Sequence, residues 1–158
     1  MMEVKASERP KSKRKHTSRR ADFLHAMDKL VPWDSLLEKI DPAYPKPTKK
    51  GGRPSFPLTV MLRIFLLQHW FKLSDPAMED ALYDIKVMRA FAGIKRDQQV
   101  PSDTAMLRFR HILEKHNLMV QVLWEIDATL HVHDVSLRIG KMVDPGLHAI
   151  VGKSHASH

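Results

Sequence analysis

The chain has 158 residues, 43% of them hydrophobic, a formal charge of +8 and no cysteine. That length supports one domain with its own core, and the missing cysteines exclude disulfides and thiolate metal sites, which suits a reducing cytoplasm. The basic N-terminus has no apolar run behind it to make a signal peptide, and the most apolar segment, "LTVMLRIFLLQHWF", is too short to span a bilayer and is interrupted by Arg63, Gln68 and His69.

The charge is concentrated at the front. Residues 1–53 hold 14 Lys and Arg against 7 Asp and Glu, whereas residues 54–158 hold 12 against 11. The run "RPKSKRKHTSRR" contains Lys13, Arg14, Lys15, Arg19 and Arg20 and no acid. Such a segment has too little apolar surface to offset its ordering entropy, so residues 1–18 are expected to form a disordered basic arm. A solubilising tail has this composition; so has a phosphate-binding arm, whose affinity falls with salt as counterions are released.

From Ser18 onward the apolar spacing is helical almost throughout. Ser18 is placed to cap "RRADFLHAMDKL", with Phe23, Leu24, Met27 and Leu30 on one side. Pro32 breaks the chain, and "WDSLLEKI" gives a short second helix. The connector "DPAYPKPTKKGGRPSFP" carries five of the ten prolines and brings Lys49, Lys50 and Arg53 close together.

Pro57 then opens a long helix over about residues 58–73, apolar nearly all the way round and therefore expected at the centre. Asp75-Pro76 reads as cap and first-turn residue of a helix over 76–91, with Gly93 as its stop. After the polar loop "KRDQQVPSD", Ser102 or Asp103 caps "TAMLRFRHILEKH". That helix buries Met106, Phe109 and Leu113 and aligns Arg108, His111 and Lys115 on another side. Asn117 separates it from "LMVQVLWEIDATLHV", with its stripe of Leu118, Val122, Ile126 and Leu130. Only "SLRIGKMV", ending at Asp144, reads as strand. The expected fold is all-α, a helical bundle with a helix-turn-helix-like pair, a basic arm in front and a single strand behind.

If the helix over 103–116 crosses its predecessor steeply, it would suit a major groove, with Thr104, Arg108 and Arg110 reaching base edges or phosphates. The stripe of Arg108, His111 and Lys115 equally fits an ordinary solvated face, and so do the carboxylates Glu79, Asp80 and Asp84. His131 and His133 sit two apart, which is the wrong spacing for zinc on one helical face, so no zinc site is expected. Asp144 resembles a metal ligand at a strand end, yet a two-metal site needs several carboxylates and no acid follows it.

The phrases "FLHAMDKLVPWDSLLEKIDPAYPK", "GGRPSFPLTVMLRIFLLQHWFKLSDPAMEDALYDIKVMRAFAGI", "VPSDTAMLRFRHILEKHNL" and "GKMVD", in this order, closely resemble the N-terminal part of bacterial insertion-sequence transposases of the DDE type. The resemblance runs from about Arg19 to Asp144. It implies a helical domain over residues 19–133 that recognises double-stranded DNA at the element's terminal inverted repeats. An RNase H-like catalytic domain would then open at residues 134–144. In that family Mg²⁺ is held by two aspartates and a glutamate, and the first aspartate maps onto Asp144.

The other two acids lie beyond His158 in the family pattern. The chain is therefore expected to be a truncated N-terminal portion, to hold no cofactor by itself and to be inactive alone. Asp144 would be a metal ligand and catalytic residue only in a full-length context. From Pro145 the sequence departs from the family, and a shifted reading frame would account for residues 145–158 as a tail without selected structure. Taken with the basic arm and the polar side of the helix over 103–116, this reading expects DNA contacts from Lys13, Arg14, Lys15, Arg19, Arg20, Lys49, Lys50, Arg53, Thr104, Arg108, Arg110 and Lys115. It also implies a cytoplasmic, nucleoid-associated location. The alternative is a regulatory subunit that occupies element ends or joins homo-oligomers and mixed multimers with the full-length enzyme, inhibiting transposition.

Overall fold

A computed structural model describes residues 17–46 and 55–132. The expected arm up to residue 16, the connector residues 47–54, the strand over 134–144 and the tail over 145–158 lie outside the described residues. With them fall Lys13, Arg14, Lys15, Lys49, Lys50, Arg53 and Asp144. What is described is helical, with no strand: α1 (Arg19–Leu30), α2 (Trp33–Ile40), a 3-10 turn (Asp41–Ala43), α3 (Leu58–Phe71), α4 (Asp75–Asp84), α5 (Lys86–Ala92), α6 (Asp103–Lys115) and α7 (Leu118–Val132).

Local sequence explains most boundaries. The Ser18 hydroxyl accepts from the Ala21 amide at 3.1 Å and caps α1, as its position predicts. Ser102 caps α6 in the same way through the Ala105 amide, which decides between it and Asp103. Asp75, expected as the cap of α4, is its first residue. The cap is Ser74, whose hydroxyl accepts from Ala77 N at 3.3 Å. The two candidates are adjacent, and Asp75 has another use described below. At the end of α5, Gly93 takes a positive φ of 79°, which glycine adopts without a Cβ clash.

Two boundaries differ from the sequence reading. α3 stops at Phe71 because Lys72 turns left-handed, with φ 53°, and the Leu73 amide folds back to the Gln68 carbonyl. The single helix expected over residues 76–91 is two. Ile85, at φ −105° and ψ 100°, leaves the helix and restarts it. No proline or glycine marks the break. The bend is tertiary: it lets α4 seat Met78 and Leu82 in the core while α5 seats Met88, Phe91 and Ala92, all of them buried. α5 packs on both α1 and α3.

α3 is the axis of the bundle, touching α4, α5 and α6. Met61, Leu62, Ile64, Phe65, Leu66, Leu67 and Trp70 are all buried, as its near-continuous apolarity predicts. Around it the aromatics meet edge-on or tilted: Phe23 against Trp70 and Phe71, Trp70 and Trp33 against Phe91, Phe65 against Phe109. Such pairs add about 0.5–1.5 kcal/mol each beyond their burial.

The polar residues that interrupt α3 are anchors. Arg63 lies 4.1 Å from the Trp33 ring centre and 5.0 Å from that of Phe91, pairs with Asp28 at 2.6 Å and donates to the Phe91 carbonyl. It thus joins four helices, α1, α2, α3 and α5, through one guanidinium.

Candidate nucleic-acid interface

α6 is amphipathic with a sharp division. Met106, Phe109 and Leu113 are buried, and Phe109 sits between the rings of Phe65 and Tyr44. Thr104, Arg108, His111 and Lys115 are all exposed, so the stripe legible in the sequence is a real outward face. Thr104 is drawn to the helix start, its amide and hydroxyl both donating to Asp103 Oδ1.

Arg110 stands apart from this face. It is half-buried, and both its terminal nitrogens donate to Asp75, Nη1 to Oδ1 and Nη2 to Oδ2, each at 2.8 Å. Gln68 of α3 donates to the same carboxylate at 2.8 Å. One aspartate at the first position of α4 therefore holds α3 and α6. The hydrogen bond from Arg110 draws the Asp75 carboxyl below its ordinary pKa, against burial and with help from Gln68. Asp75 in turn raises the pKa of Arg110. A bidentate charge-assisted pair of this kind fixes orientation as well as adding energy. It holds α6 against α4, the juxtaposition the sequence reading requires of a helix pair, although α5 and a loop intervene.

On α1, Arg19 is exposed, whereas Arg20 is half-buried with its guanidinium 5.8 Å from the Phe71 ring centre. The connector that would carry Lys49, Lys50 and Arg53 is anchored at both feet: the Tyr44 hydroxyl donates to the Phe56 carbonyl, and the Tyr44 ring packs on Phe109 of α6. The described ends of the basic connector therefore sit beside the helix that carries Arg108.

Sequence reasoning missed three features. The partnership of Asp75 with Arg110 joins residues 35 apart, a separation no local pattern exposes. Arg89, on α5, donates from Nη2 to the carbonyls of Lys95, Arg96 and Gln98, which lie six to nine residues on. Glu125, in the middle of α7, accepts from Ser35 and Lys39 and so fastens α7 to α2. Burial pushes the Glu125 pKa up, but the bonds from Lys39 and Ser35 outweigh it and bring the carboxyl below its usual range.

Among the described residues no group of three or more His, Asp or Glu side chains could hold a metal ion. No described helix is long and apolar enough to cross a membrane.

These features belong to a helical module built to hold one basic-faced helix rigidly at its surface. A family model described as a transposase domain (DUF772) matches residues 11–112, about two thirds of the chain, and the chain belongs to that family. The match takes in α1 to α5 and most of α6. No solved structure matches the chain.

Proposed function

We propose that this chain is the DNA-binding portion of a DDE-type insertion-sequence transposase and that it recognises the terminal inverted repeats of its element. The observation that carries the reading is α6. One side of this helix is locked to α4 through Arg110 and Asp75, while Thr104, Arg108, His111 and Lys115 stand exposed on it. A helix held so that its polar face is fixed relative to the bundle is what major-groove readout needs, with α4 and α6 as the helix-turn-helix-like pair. In this reading Arg108 and Thr104 contact base edges or phosphates and Lys115 contacts phosphate. Arg110 serves by positioning α6.

Arg19 and Arg20, with Lys13, Arg14 and Lys15 of the arm and Lys49, Lys50 and Arg53 of the connector, add phosphate contacts that bind without reading sequence. Cutting and joining belong to the catalytic domain that Asp144 would open, with Mg²⁺ supplied there.

The test is a titration of DNA duplexes with the purified chain across a salt series. Arg108→Ala should lower the preference for the element's end over a scrambled duplex. Deleting residues 1–16 should weaken binding to both duplexes alike and flatten the salt dependence. Equal affinity of the intact chain for end and scrambled DNA would refute recognition of the repeats.

A second reading, a regulatory subunit acting through homo-oligomers or mixed multimers, is favoured by one observation. Val120, Trp124 and Val132 of α7 are large apolar residues left exposed. Sedimentation of the chain without DNA, with and without Trp124→Ser, tests it. A single monomeric species in both would contradict it.

A further inference from the structure

The loop between α5 and α6 is the part of the basic surface that the sequence reading passes over. Ile94 and Val100, its two feet, are buried in the core, and Pro101 behind Val100 is buried too. Between them residues 95–99 are exposed. Their backbone is nonetheless heavily tied. Arg89 Nη2 lies 3.0 Å from the Lys95 carbonyl, 3.2 Å from that of Arg96 and 3.0 Å from that of Gln98. The Gln98 amide donates to the Lys95 carbonyl at 3.0 Å, and the Lys95 amide donates to Gln98 Oε1 at 2.9 Å.

Three carbonyl dipoles converging on one point repel one another unless a cation sits among them. Here the cation is Arg89, whose Nε is closed off from solvent without a hydrogen-bond partner. Leaving a buried donor unmade costs about 1–3 kcal/mol.

With the carbonyls turned in to Arg89, the side chains of Lys95 and Arg96 are left to solvent, and among the described residues neither has a carboxylate at ion-pair distance. The loop runs straight into the N-terminus of α6, through Ser102 to Thr104 and then Arg108. Proteins that dock a helix in a groove fix its register with phosphate contacts from residues flanking that helix. Cations held in advance in one geometry lose less entropy when they bind than cations on a mobile loop.

We infer that Lys95 and Arg96 form a preorganised pair of DNA-phosphate contacts flanking α6, and that Arg89 is the positioning residue that holds them. The inference rests on the DNA-binding reading above and adds residues to it. Each phosphate contact contributes about 0.9 to the slope of log affinity against log salt, so two contribute about 1.8.

The experiment is a salt series of anisotropy titrations on a random-sequence DNA duplex. It uses the full chain, a double variant Lys95→Ala/Arg96→Ala, and Arg89→Met, which keeps an apolar stem but removes the donors. The double variant alters only exposed side chains and should melt with the parent. Its slope should be shallower by about 1.8, so between 50 and 200 mM salt the parent should lose about twelvefold more affinity than the variant does. Arg89→Met, with Lys95 and Arg96 intact, should lose most of the same slope and exchange its amide hydrogens faster at residues 95–98; a merely structural role would lower the melting temperature and leave the slope alone.

If the parent binds and the double variant shows its slope unchanged, the inference is overturned while the DNA-binding reading stands. If the parent fails to bind at any salt, both fall. Should Arg89→Met not fold, the double variant decides alone.

Discussion

α3 and α7 carry apolar residues around most of their circumference, yet the bundle treats them differently. In α3 every side is claimed: seven large side chains are buried, Leu62 and Leu66 completely, and Arg63 and Gln68 reach partners on other helices. In α7 one stripe, Leu118, Val122 and Ile126, packs inward, and Glu125 ties the helix to α2. Another row along it stays open, with Val120 78%, Trp124 71% and Val132 80% exposed. Apolarity all round a helix thus predicts burial only where neighbours exist on all sides. α3 stands between α4, α5 and α6, whereas α7 has α6 on one side and α2 on another.

That contrast can be broken by substitution. Leu66→Ala, at a site with no exposure, should cost about 2–5 kcal/mol in urea unfolding, because the hole is lined by side chains that cannot all collapse into it. A loss below 1 kcal/mol would mean that α3 is less enclosed than described. Asp75→Ala comes next. It strands Arg110 and Gln68 and should cost about 1–3 kcal/mol; a parallel Arg110→Met series shows whether the loss belongs to the pair.

A smaller effect is expected from pH. The Asp75 and Glu125 carboxyls are held below their ordinary range, so at mildly acidic pH the unfolded chain binds more protons than the folded one. The stability they contribute is present above the unfolded carboxylate pKa of about 4 and is lost as pH falls through the folded values. His69 acts in the same direction at higher pH. Burial first, and Lys72 second, lower its pKa against the pull of Asp127, so stability begins to fall as pH drops through the unfolded histidine value of about 6.5. Unfolding midpoints between pH 7 and pH 3 should therefore decline throughout, and in Asp75→Asn the lower part of that decline should shrink. Last, Trp124→Ser on the open side of α7 should change stability by no more than about 0.5 kcal/mol. A larger loss would show that the row is covered.

Much of this was legible in the sequence because it is local. Serine caps announce α1 and α6, Pro32 and Pro57 punctuate the chain, and the spacing of Met106, Phe109 and Leu113 identifies the inner side of α6. The outward stripe of Arg108, His111 and Lys115 follows from the same period. What escaped depends on distant partners. The break at Ile85 has no breaker residue because the neighbouring helices impose it. Asp75 reads as a cap until Arg110, 35 residues on, takes its carboxylate. The two arginines of "RFR" have the same chemistry and sit two apart, so they point to different sides of the helix. Only the packed structure shows that Arg110 faces a carboxylate.

The most direct test of the DNA-binding reading is the affinity of the purified chain for its own element's end against a scrambled duplex of equal length, measured from low to physiological salt. The reading predicts a linear fall of log affinity with log salt on both duplexes and tighter binding to the end throughout, with Arg108→Ala reducing the difference. Binding that ignores sequence, or a preference that survives Arg108→Ala undiminished, would contradict the role given to α6.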